Sequence, residues 1–160
     1  MSTTLPVPME FTLPEGWQSV PPDEAGSPGV ALVAMHPASS EGFTANITVA
    51  GELRPDEASM ATIADEAIVR LRQGASVELQ DRTEVGDEDA PGLTQLVRLA
   101  TTVNDQQLDL VQSHVFLGIL DSEDPRKRAV IQLTLTATPG QFDTVVGDFQ
   151  QFVRTARPAG

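Results

Sequence analysis

Ala129-Val130-Ile131-Gln132-Leu133-Thr134-Leu135-Thr136-Ala137 is followed, after Thr138-Pro139-Gly140, by a run from Gln141 to Val153 that obeys a different period. In the first piece Ala129, Ile131, Leu133, Leu135 and Ala137 alternate with Gln132, Thr134 and Thr136, the period-two pattern of a half-buried strand. In the second, Phe142, Val145, Val146, Phe149, Phe152 and Val153 fall at offsets 0, 3, 4, 7, 10 and 11, one apolar stripe of an α-helix. Thr138-Pro139-Gly140 reads as the breaker between them, and the helix is expected to end before Pro158. A helix with one apolar face needs something flat to lie on. The strand implies what that is.

The same grammar runs outward from this stretch. Met60, Ile63, Ala64, Ala67, Ile68 and Leu71 make a second helical stripe, predicting a helix over 57–73. Pro55, Asp56 and Glu57 supply a start signal, Glu66 and Arg70 are paired four apart, and Gly74 supplies a stop. Phe43, Ala45, Ile47 and Val49 alternate with Thr44, Asn46 and Thr48, and Val77–Val85, Leu93–Val103 and Leu108–Leu120 are further strands. Gly86-Asp87-Glu88-Asp89-Ala90-Pro91-Gly92, Asn104-Asp105 and Asp121-Ser122-Glu123-Asp124-Pro125 connect them, and such short polar links imply hairpins of an antiparallel meander. Val111–Ile119 is apolar on both sides near its end, which predicts a central strand. The order is β-β-β-α-β-β-β-β-α. The fold class is α+β: an α/β/α sandwich with a mostly antiparallel sheet of about six to seven strands and two main helices. Residues 1–160 read as a single domain with flexible tails at 1–9 and 157–160, and Pro21–Gly29 is a loop too short to join domains.

Composition narrows the function classes. Lys+Arg number 10 and Asp+Glu 23 in 160 residues, a formal charge of -13, which argues against binding nucleic acid or an anionic membrane. The absence of cysteine removes disulfides, zinc knuckles and cysteine nucleophiles. The longest apolar runs are about six residues (Val30–Met35), against the roughly 20 needed to span a bilayer. With neither a basic n-region nor an apolar h-region at the start, the expected compartment is the cytoplasm.

Phe11-Thr12-Leu13-Pro14-Glu15-Gly16-Trp17 resembles the F-x-x-P-x-G-W opening of the PsbP/Mog-type superfamily. Within it the chain is most similar to the LpqN-type lipoproteins and the DcrB-like group, and the element order over residues 10–156 runs in parallel. The resemblance implies an α/β/α sandwich and a non-enzymatic binding or accessory role. Branches include photosystem assembly factors, a Ran-binding protein and effector-loading chaperones of bacterial secretion systems. The lipobox cysteine of the lipoprotein branch is missing here.

The residues themselves offer little chemistry. No G-x-S-x-G elbow, phosphate loop or dinucleotide fingerprint occurs, tyrosine is absent, and Ser39-Ser40 has no fixed base beside it. His36 and His114 are the two histidines, read mainly as ordinary structural residues that meet only if their strands neighbour each other. Glu84 with Asp87-Glu88-Asp89, and Asp121, Glu123 and Asp124, form acidic turns without calcium-loop spacing, the second followed by Arg126-Lys127-Arg128. No catalytic, metal or cofactor residue is therefore assigned. Trp17 is expected to cap a core edge, with a partner anchor as its second role.

The leading expectation is a protein-binding accessory or chaperone-like module, its partner presenting a basic or apolar segment. The alternative is a small-molecule-binding or enzymatic domain with a pocket between helix and sheet, using His36 or His114. A homodimer is a further arrangement the sequence allows.

Overall fold

The computed structural model describes residues 9–20, 32–36, 44–53, 59–86, 91–103, 105–120 and 128–158. In chain order the elements are β1 (Met9–Glu10), β2 (Gln18–Val20), β3 (Leu32–Met35), β4 (Asn46–Leu53), α1 (Met60–Arg72), β5 (Ser76–Gly86), β6 (Pro91–Val103), β7 (Gln106–Leu120), β8 (Arg128–Ala137), α2 (Pro139–Thr155) and β9 (Arg157–Pro158). Strands β2 to β8 form one seven-stranded antiparallel sheet in the order β2-β3-β4-β8-β7-β6-β5. Helix α1 carries the chain from mid-sheet to the far edge, and the meander β5-β6-β7-β8 brings it back beside β4. The expected α+β sandwich is present, and the expected element order is that of β2 to α2, with β1 and β9 added outside it. β8 is the middle strand, and β7, predicted central, is the interior strand beside it.

The sheet is covered unevenly. On β8, Ile131, Leu133 and Leu135 pack with Val145, Phe149 and Phe152 of α2. Val130 faces the other way and packs with Met60, Ile63, Ala64 and Ala67 of α1, together with Phe116 and Leu93. Since alternate side chains of a strand point to opposite faces, the two helices lie on opposite sides of the sheet. Helix α1 sits over β5, β6 and β7, whereas α2 sits over β7 and β8. Among the described residues each face is thus half covered, on different halves.

Local chemistry sets where the helices begin. Ser59 is extended (φ -69°, ψ 160°) and its side chain accepts from the Thr62 amide, so α1 starts at Met60 and not at 57 as predicted. Gln73, in the αR conformation, closes the helix ahead of Gly74. Pro55, Asp56, Glu57 and Phe43 lie outside the described residues. Thr138 and Gln141 form a capping box, with Pro139 in the first turn. Pro139-Gly140, read as a breaker, is therefore the first turn of α2, where the missing N–H of proline costs nothing.

The chain ends pair with each other: Met9 opposes Pro158 and Glu10 opposes Arg157. This takes residues 9, 157 and 158 out of the expected tails. Phe11 stacks on Phe152 with centroids 5.4 Å apart, and the Thr12 amide donates to Thr155 Oγ1, so the clasp is tied to α2 by both packing and hydrogen bonding.

Candidate functional site

The segment Pro14–Trp17 is a turn closed by the Trp17 amide donating to the Pro14 carbonyl at 3.2 Å. Gly16 has φ 89°, the value that the third residue of a type II turn needs and that glycine adopts without strain. The turn drops Trp17 onto the α2 face, where 6% of it stays exposed. Its Nε1–H donates to Asp148 Oδ2 at 3.0 Å, and the ring meets His36 edge-on, centroids 5.1 Å apart. His36 is half-buried just beyond β3. With the indole buried and its one donor engaged, Trp17 caps the core.

His114 lies on the opposite face, beneath α1, with 1% of its surface exposed. The register places Arg82, Gln95, His114, Thr134 and Thr48 in one row across β5, β6, β7, β8 and β4. Arg82 Nε and Nη2 donate to Gln95 Oε1 at 3.0 and 2.8 Å. Because a guanidinium can only donate, it fixes the Gln95 amide: Nε2 must face inward, toward the Ala64 carbonyl (3.3 Å) and His114 Nδ1 (2.9 Å). Nδ1 is then the acceptor and Nε2 carries the proton, which it donates to Gln112 Oε1 at 2.8 Å. Gln112 Nε2 in turn donates to Thr136 Oγ1 at 3.1 Å. Burial, reinforced by the nearby Arg70 charge, lowers the His114 pKa to about 4. The imidazole is neutral, and every hydrogen bond in the chain runs in one direction.

Two open regions remain where each helix leaves its face uncovered. Beside α1 a cavity of about 330 Å³ opens over β4, β8 and β7, floored by Thr48, Thr134, Gln132 and Gln112, with Arg70, Ala67 and Leu71 of the helix also lining it. Beside α2 an open groove of about 690 Å³ lies over β5 and β6. Its walls are Phe142, Val146 and Val153 on the helix and Leu96 and Val85 on the strands, and its charged lining residues are Asp81 and Arg154. The helix residues form a second stripe at spacings of 4 and 7, rotated from the Val145–Phe152 line that faces the core.

The two histidines lie on opposite faces of the sheet and do not form a joint site. Glu84 is exposed on β5, and the rest of both acidic turns, with Arg126 and Lys127, lies outside the described residues. Among the described residues no His, Asp and Glu gather in a metal-binding group, and no helix is long and apolar enough to cross a membrane. Arg82, Gln95 and Gln112 escaped the sequence reading. Their signal is the set of polar residues at inward positions of otherwise apolar strands, which gains meaning only with the register.

No family model matches the chain, and no curated protein does. Solved structures do. LpqN of Mycobacterium tuberculosis, involved in cell envelope biogenesis, superposes with a TM-score of 0.68 at 11% identity, covering 97% of this chain and 86% of that one. Cyanobacterial PsbP from Synechocystis gives 0.60 at 17% identity, covering 94% and 86%. The Saccharomyces cerevisiae Ran-binding protein Mog1p gives 0.56 at 13% identity, covering 94% and 89%. At these identities what is shared is the fold, and the fold is the PsbP/Mog-like one that Phe11–Trp17 resembled.

Proposed function

We propose that the protein is a non-enzymatic docking module that holds an apolar, positively charged segment of a protein partner in the groove between α2 and β5–β6. The observation that carries this reading is the apolar wall itself. Phe142, Val146 and Val153 are only half-buried although they pack against the main core, and Leu96 across the groove is half-buried too. Such surface beside a polar rim marks an interaction site more often than a solvated one. The charge of -13 favours a cationic partner, whose approach it accelerates, while the groove itself carries one charge of each sign, Asp81 and Arg154. The solved Ran-binding protein of the same fold supports a protein partner. His114 lends no support to an acid–base reading, since both its ring nitrogens are engaged inside the sheet layer.

A photo-crosslinker placed at Gln150, exposed on the groove, and separately at Val69, exposed on α1, tests this in native lysate. The expected result is cross-linking from position 150 to segments rich in Lys, Arg and apolar residues, weakened by added salt and by Val146→Asp. Equal yields from both positions, or segments that are acidic, would overturn it.

A further inference from the structure

On the other face, and independently of the groove, we propose that the cavity beside α1 binds a small carboxylate whose head sits between Arg70 and Thr134. The ligand class follows from the direction of the hydrogen bonds. Gln112 receives the His114 proton on Oε1, so its amide nitrogen, one hydrogen already on Thr136, has a second hydrogen to offer. Thr134 Oγ1 accepts from Gln132 Nε2 at 3.1 Å, which leaves its own hydroxyl proton for the cavity. Thr48 stands beside Thr134 in the register and adds another hydroxyl. Arg70 adds a planar fork of donors that matches a carboxylate.

Donors therefore converge on the space from three strands and a helix, and no carboxylate is among the described residues lining it. A donor-rich hollow needs an acceptor. Thr134 is buried with 8% exposed, so its hydroxyl proton lacks the bulk water that would satisfy a surface threonine. The remainder of the ligand has a place as well. A hollow of about 230 Å³ adjoins the cavity, sharing Ala50, Arg70 and Gln132 with it, and continues toward Ile63, Phe116 and Val130. Its size and apolar floor suit a short alkyl or aryl body, with Glu52 exposed at its far side. The overall negative charge does not forbid an anion here, because at physiological salt charges beyond about 8 Å are screened while Arg70 is in contact.

The test is an amide NMR titration of the full chain with hexanoate and benzoate, using hexanamide and benzamide as neutral matches and inorganic phosphate as the competing oxyanion. The expected result is saturable shifts at Thr48, Gln112, Gln132 and Thr134 with the carboxylates, and affinity roughly tenfold weaker in Arg70→Gln and in Thr134→Val. Arg70 is exposed, so Arg70→Gln keeps the fold and remains decisive if Thr134→Val does not. Equal response to the amides, a response to phosphate alone, no saturation by about 10 mM, or unchanged affinity in Arg70→Gln would each overturn the proposal.

Discussion

Gln95 and His114 stand directly opposite each other on neighbouring strands, and the Gln95 amide nitrogen meets His114 Nδ1 at 2.9 Å inside the protein. The pairing fixes the tautomer, while burial, with the Arg70 charge, holds the imidazole neutral and makes folding sensitive to pH. Burial lowers the His114 pKa from 6.5 to about 4 in the folded chain. Above pH 6.5 both folded and unfolded states carry the neutral ring, and its contribution is fully present. As pH falls from 6.5 toward 4 the unfolded state takes up the proton first, so stability is lost across that window. At pH 5 the loss is about 2 kcal/mol from this residue. Urea titrations of wild type and His114→Asn at pH 7 and pH 5 check it: the variant should show a smaller drop between the two.

Trp17 is the sole tryptophan, and its indole reports its own packing. Removing the ring by Trp17→Ala should cost about 3–5 kcal/mol, as for a buried aromatic. Asp148→Ala, which deletes only the acceptor of the Nε1–H bond, should cost about 1 kcal/mol and leave emission close to wild type. A loss under about 1 kcal/mol for Trp17→Ala would return the ring to the role of a surface anchor.

The register of α1 can be tested by two adjacent residues. Ile68 packs with Val97, Leu99 and Leu110 and is 5% exposed, whereas Val69 is 57% exposed. Ile68→Ala should destabilise by about 2–4 kcal/mol and Val69→Ala by less than about 1 kcal/mol in denaturant melts. Similar costs would require a rotated helix.

These helices and the long strands were legible because period alone specifies them: Met60 to Leu71 and Ala129 to Ala137 show their buried faces without knowledge of any partner. The relation between elements was not legible in the same way. Arg82, Gln95 and His114 become one polar row only when β5, β6 and β7 are set in register, and a bulge between Leu79 and Asp81 shifts that register by a residue. The β1–β9 clasp was also missed, since a two-residue strand has no period to read. The groove beside α2 depends on how far the helix is offset across the sheet, a packing outcome rather than a sequence pattern.

Two glycines should respond with opposite signs. A Cβ on Gly118 would lie 2.9 Å from Pro91 Cγ and 2.5 Å from Met60 Cε, at the point where α1 first touches β7. The Met60 tip can move aside, but the proline ring cannot, so Gly118→Ala should cost about 1–3 kcal/mol. Gly147 lies exposed in α2 with nothing within 4 Å of its added Cβ. Gly147→Ala should stabilise by roughly 0.5–1 kcal/mol through helix propensity. Thermal melts of both variants decide the matter. A stabilised Gly118→Ala would mean that Pro91 does not approach β7 this closely.

Arg82 is the residue whose loss should change His114 without touching it. The guanidinium holds Gln95 Oε1 with two donors and also meets Asp65 Oδ1 at 2.8 Å. In Arg82→Met the Gln95 amide loses the constraint that keeps Nε2 inward. Rotation of the amide would turn Oε1 toward Nδ1, and a ring nitrogen facing a carbonyl oxygen must carry a proton. The Ala64 carbonyl, at 3.3 Å from Gln95 Nε2, and Gln112 Oε1, which accepts from His114 Nε2 at 2.8 Å, still oppose that change. Long-range 1H–15N spectra of wild type should therefore show the Nε2–H tautomer alone. Those of Arg82→Met should show a mixture with the Nδ1–H form, and a stability lower by about 1–3 kcal/mol because Gln95 Oε1 is left buried without its donors. Asp65→Asn is the control. Asp65 is 65% exposed, so breaking that ion pair should cost under about 1 kcal/mol and leave the tautomer as it was. A pure Nε2–H signal in Arg82→Met would mean that the packing around His114, rather than the chain of donors beginning at Arg82, sets its protonation.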